Sequence, residues 1–121
     1  MITSKNIREA MGSAPTVSQL KAEILELIDE VLALNLTASL DEGSDVAWFV
    51  YAIVYDRTGL VIPAVGAGKC WAKFLARRQV WEGIFAQHGL VYHPRYTAGG
   101  TNFNRPEKVS RAIDLARQEQ G

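Results

Sequence analysis

An all-α fold, an antiparallel helical bundle with a long loop and a short C-terminal helix, is predicted for this 121-residue chain. Three observations carry the prediction. Apolar residues recur at three- and four-residue steps through several long stretches. Capping residues and glycines stand where those stretches begin and end. The composition, 48% hydrophobic and 21% charged, is that of one ordinary globular domain over residues 1–121.

The first long helix is expected over about 17–36. Thr16 is its N-cap, and Gln19, three residues on, closes a capping box. Leu20, Ile24, Leu27, Ile28, Val31, Leu32 and Leu34 then form an apolar stripe, with Glu23, Glu26 and Glu30 as an acidic stripe beside it. A second capping box, Ser39-Leu-Asp-Glu42, opens a helix over about 40–57 that Gly59 ends. Beyond Asp45 this helix is apolar nearly all round, so it should be buried on more than one side, centrally or against another subunit.

Residues 60–68, with Pro63 and three small residues near Gly66, read as a connection. A third long helix over about 69–87 carries Trp71, Phe74, Leu75, Arg78, Val80, Trp81, Ile84 and Phe85, with its aromatics on the core side, and Gly89 at its C-terminus. The glycine-, proline- and asparagine-containing segment 93–104 reads as a loop, of a length that in a compact domain is functional or disordered. A short helix over about 106–118 follows, with Asn104 as its cap and Val109, Ile113 and Leu115 on its apolar side. No internal repeat is visible.

Composition excludes several classes. The longest unbroken apolar run, Val46 to Tyr55, is about half of the roughly 20 residues that span a bilayer, so no membrane helix is expected. The N-terminus lacks the basic-then-apolar order of a secretory signal, and a cytoplasmic location is expected. The single cysteine, Cys70, permits no internal disulfide, argues against a Cys-based zinc site and reads as a small buried thiol.

The formal charge is zero, but it is unevenly spread. Residues 1–60 hold four basic and nine acidic side chains, and residues 61–121 hold nine basic and four acidic ones. Folding one half onto the other explains this. So does an acidic site for a metal facing a basic one for a polyphosphate.

The carboxylates that bear on this come in two pairs at i, i+3. Glu23 and Glu26 lie on one face of the first long helix, and Glu42 and Asp45 repeat the spacing on the second. A turn at about 37–41 that folds the two helices antiparallel brings the pairs opposite each other. Four like charges at one point need a cation, and hard carboxylate oxygens select Mg²⁺ or Mn²⁺. Each pair also has a plainer explanation. Glu42 closes the Ser39 capping box, Asp45 suits a first helical turn, and Glu23, Glu26 and Glu30 make a solvated face.

This Glu-x-x-Glu, fifteen residues, then Glu-x-x-Asp-Val resembles the MazG-like, all-α nucleoside triphosphate pyrophosphatase family over about residues 17–58. The resemblance implies a helical bundle in which Glu23 and Glu26 match the first acidic pair and Glu42 and Asp45 the second. It implies Mg²⁺ as cofactor and hydrolysis of an NTP or dNTP to the monophosphate and pyrophosphate, in a house-cleaning role. The chain departs from the pattern at Ala22, where many relatives have another Glu, and at Gly43 and Ser44.

The basic half offers groups for the phosphates. Lys73 and Arg77 follow Lys69 at four-residue steps, although the family's Lys, Asn and Arg after the second pair lacks its Asn in Lys73-Phe-Leu-Ala-Arg77. Asn104 and Arg105, at the end of the loop, are candidates to close over a ligand, and Trp48 to stack on a base or to sit in the core. The apolar second helix points to a homodimer or homotetramer.

Other chemistries fail on inspection. Gly66-Ala-Gly-Lys69-Cys lacks the first glycine and the Ser or Thr of a P-loop. His88 and His93 have no companion ligands, and nothing sets a base against a serine. The rival expectation is a non-catalytic helical interaction protein, binding nucleic acid through Arg95, Tyr96, Arg105, Lys108 and Arg111, against which overall neutrality counts.

Overall fold

The computed structural model describes residues 1–97 and 102–121. Among these residues there are five α-helices, two single 3₁₀ turns and no strand. The helices are α1 (Ser4–Ala10), α2 (Val17–Leu32), α3 (Leu36–Thr58), α4 (Gly68–Gln87) and α5 (Pro106–Gln120). The expected all-α class holds. None of these helices is long and apolar enough to cross a membrane. The expected loop at 93–104 contains the 3₁₀ turns Pro94–Tyr96 and Asn102–Asn104, and its residues 98–101 lie outside the described residues.

The helix ends show where local chemistry prevailed. At the start of α2 the capping box forms as the sequence predicts, with the Gln19 amide nitrogen donating to Thr16 Oγ1 at 3.1 Å and the Thr16 backbone N–H to Gln19 Oε1 at 2.8 Å. The C-terminus of α3 is also as predicted, with Gly59 at φ +71° and its N–H on the Tyr55 carbonyl.

The break between α2 and α3 is not where the sequence puts it. It spans residues 33–35 rather than 37–41, so α2 ends four residues early and α3 begins at Leu36. Two local motifs cause the shift. The N–H of Asn35 reaches the Glu30 carbonyl and that of Leu34 reaches Val31, which is a Schellman stop with Leu34, at φ +55°, in the position glycine usually takes. Asn35 then caps α3, its Oδ1 accepting from the Ala38 N–H at 3.1 Å. Ser39 and Glu42, expected to form a cap, therefore lie inside the helix.

The sequence reading also omits α1, which is too short to show a period. Its start is fixed by Thr3 and Asn6, each backbone N–H donating to the other's side-chain oxygen. At the far end of the chain, Asn104 is not the cap of α5. Arg105 holds that position and makes no side-chain cap bond, while Pro106 supplies a preorganised first turn.

The chain divides into two compact units, residues 1–9 with 14–73 and residues 10–13 with 74–121. In the first, α2 and α3 pack as an antiparallel hairpin. The start of α1 and the residues before it are laced to residues 60–64: the Ala64 N–H donates to the Ile2 carbonyl at 2.9 Å, and buried Ser4, the first residue of α1, donates from Oγ to the Leu60 carbonyl at 2.6 Å and accepts from the Ile62 N–H at 3.0 Å. Small, buried Ser44 on α3 accepts from the backbone N–H of Cys70 at 2.9 Å, satisfying one of the donors that the first turn of α4 leaves over. The second unit is built on aromatics. Trp81 and Phe85 from α4, Tyr92 and Tyr96, and Ala112, Ile113 and Ala116 of α5 form its core. Trp81 and Tyr92 stack with centroids 6.0 Å apart, and Phe85 meets Tyr92 edge-on at 5.2 Å.

Candidate metal centre

The break at 33–35 is centred on Leu34, midway between Glu26 and Glu42 and between Glu23 and Asp45, so the antiparallel reversal there brings the acidic pairs opposite each other. Side-chain oxygens of Glu23, Glu26 and Glu42 lie within 4.8 Å of one another. In an octahedral Mg²⁺ site with metal–oxygen distances near 2.0–2.1 Å, opposite ligands are about 4.2 Å apart, so small rotamer adjustments suffice to close the three on one ion.

The electrostatics of the cluster are those of a site lacking a positive charge. Glu23 and Glu42 are half-buried, and one oxygen of each is enclosed with no hydrogen-bond donor. Burial, reinforced by Glu26, Asp45 and Glu42, pushes the Glu23 carboxyl from its ordinary 4.5 up to about 7. Burial and the Glu26 carboxylate beside it likewise raise Glu42, with Lys73 pulling weakly the other way. Carboxylates this close must share a proton or a cation.

The fourth expected ligand, Asp45, lies next to this group but is engaged by a lysine. Lys73 Nζ donates to Asp45 Oδ1 at 3.2 Å and to Asp41 Oδ2 at 3.1 Å. Burial alone would lower the Lys73 pKa, but the hydrogen bonds to Asp41 and Asp45 outweigh it and hold the ammonium above its usual value. Lys73, expected on the phosphates, is thus an ion-pair partner of α3. Asp41 was missed by sequence reasoning. The signal was its i, i+4 relation to Asp45, two acids one turn apart that a single lysine bridges.

The remaining candidates are not among the grouped carboxylates. Trp48, considered for base stacking, is 7% exposed and packs against Trp71, ring centroids 6.1 Å apart, so it is a core residue. Arg77 is exposed on α4 and belongs to the second unit, as do the exposed Asn104 and Arg105. No other group of His, Cys, Asp or Glu with metal-ligand spacing occurs among the described residues.

Comparison with known proteins adds no relative: no family model, no curated protein and no solved structure matches the chain significantly.

Proposed function

We propose that this chain is a Mg²⁺-dependent nucleotide pyrophosphohydrolase of the MazG-like type, cleaving an NTP or dNTP to the monophosphate and pyrophosphate. The observation that carries the proposal is the three-glutamate cluster on two helices, with two enclosed carboxylate oxygens that have no donor. The donor set is all oxygen and all anionic, which fits a hard divalent cation and not a soft one. Glu23, Glu26 and Glu42 would hold the ion, with Asp45 beside them. Bound there, Mg²⁺ supplies charge neutralisation for a phosphate chain and a lowered pKa for a water molecule.

The chain's own residues do the positioning. Two helices joined by a three-residue turn fix the glutamates, so the cluster does not depend on a long loop. Lys73, kept protonated by Asp41 and Asp45, is a fixed positive charge beside Asp45. It neutralises α3 acids that would otherwise add to the repulsion around Glu23 and Glu42.

The direct test is pyrophosphate release from a panel of NTPs and dNTPs with Mg²⁺, with and without chelator, on wild type and Glu26→Gln. Chelator-sensitive release of pyrophosphate and monophosphate, lost in the variant, is expected. Absence of release by folded protein for every nucleotide would sink the enzyme proposal, and the basic, aromatic second unit would then be the place to look for a binding function.

A further inference from the structure

We infer that Lys73 competes with a bound cation for Asp45, and that Asp41 is the acceptor on which the lysine stays when Asp45 is released. The inference rests on the metal reading above and concerns how tightly that site fills. All three residues belong to the first unit. Lys73 Nζ donates to the two carboxylate oxygens of Asp45 at 3.2 and 3.4 Å and to Asp41 Oδ2 at 3.1 Å, so the ammonium is shared between two acids.

Asp45 is placed to serve either charge. It follows Glu42 by three residues, on the same face of α3. Its charge acts on both Glu23 and Glu42, and the Lys73 ammonium acts on Glu42 as well. An ammonium and a divalent cation on one carboxylate repel each other across a few ångströms. Because both Asp45 oxygens face Nζ, Asp45 can join a filled site only if Lys73 gives way.

Asp41 lets it do so without losing its counter-charge. The two aspartates are one helical turn apart, and the Asp41 side chain is 44% exposed against 22% for Asp45, so a lysine leaving Asp45 moves towards water. With Asp41 in place, Lys73 keeps one carboxylate after giving up the other. Lysine suits the exchange, since its three donors on a flexible stem serve two acceptors at once. An arginine fork would instead hold one carboxylate by two bonds.

Calorimetric titration of the full chain with Mg²⁺ alone tests this without turnover. Lys73→Gln should tighten binding by about fivefold, the upper end of what a partly exposed ion pair is worth. In the Asp45→Asn background the same substitution should change affinity by less than about twofold, because the contested carboxylate is gone. Asp41→Asn should weaken binding while Lys73 is present and leave it unchanged alongside Lys73→Gln. Lys73→Arg, which keeps the charge, should not tighten it. These side chains all keep solvent contact, so folded variants are expected, and Lys73→Met is a second neutral replacement should Lys73→Gln lose its helical circular dichroism. An equal gain with and without Asp45 would reduce Lys73 to a general positive charge and overturn the inference, as would no gain at all. Those results leave the metal reading standing. Mg²⁺ binding by no variant, wild type included, overturns that reading and this inference with it.

Discussion

Two carboxylates show how differently the halves of this molecule are finished. Glu119, on α5, receives hydrogen bonds from the Arg95 guanidinium and, at 2.8 Å, the Tyr96 hydroxyl, and these hold its pKa below the ordinary value. Glu23, on α2, has an enclosed oxygen with no donor and is driven up to about 7. Around Glu119 other polar groups are also paired: Gln120 donates to the Val91 carbonyl at 2.7 Å and accepts from its N–H at 2.9 Å. Around Glu23, carboxylates face carboxylates and apolar side chains face solvent. In the second unit these polar groups are satisfied from within. The α2–α3 hairpin leaves its charge to be completed from outside, by a cation on the proposal made above.

The contrast can be broken most forcefully at the aromatic core. Trp81 is 2% exposed and touches Phe85, Tyr92 and Phe103, so Trp81→Ala should cost about 3–5 kcal/mol in urea unfolding. A smaller loss would mean that the core collapses around the gap.

At the hairpin the sign should reverse. Glu23→Gln removes a charge that the metal-free fold disfavours, so it should raise the melting temperature without Mg²⁺. It should also weaken Mg²⁺ affinity by at least about 10–100-fold, the loss typical even of outer-shell partners. Calorimetric titration and thermal melts check the two halves of this statement, and a lowered metal-free melting temperature would show that Glu23 is held by donors after all.

The same two carboxylates predict the pH profile. Glu23 has its folded pKa raised from 4.5 to about 7, so its contribution to stability is complete below pH 4.5 and is lost as pH rises towards 7. Glu119 has its folded pKa lowered, so its contribution is present above the ordinary carboxylate value and disappears as pH falls through the folded one. Without metal, stability to urea should therefore peak on the acidic side of neutrality. Saturating Mg²⁺ should flatten the loss between pH 4.5 and 7, since binding requires the deprotonated glutamates. An identical profile with and without Mg²⁺ would remove the cluster as a metal centre.

The last and smallest effect concerns what the sequence could tell. The helical class, the Thr16–Gln19 start of α2 and the Gly59 stop are legible, because each rests on residues within a turn of one another or on a period repeated many times; the acidic pairs are legible by their spacing, but the sequence places the reversal that groups Glu23, Glu26 and Glu42 too late in the chain. The Lys73 pairing is not legible, since it depends on which face of α3 meets which neighbour, whereas the core alternative for Trp48 could be read from its place in an apolar helix. The α2–α3 break is an intermediate case, in which two local motifs compete for one chain reversal. Ser39 with Glu42 forms a formally better capping box than Asn35 alone, but choosing it would extend α2 through Leu34 and Asn35 and forfeit the Schellman bonds that Leu34 and Asn35 donate to Val31 and Glu30. Paired substitutions separate the two. Asn35→Ala removes the bond to Ala38 and should cost about 0.5–2 kcal/mol, whereas Ser39→Ala, now one turn inside α3, should change stability by no more than a few tenths of a kcal/mol, in the stabilising direction that alanine's helix preference gives. Equal losses at the two positions in urea unfolding would mean that both caps are populated and that the hairpin turn slides between them.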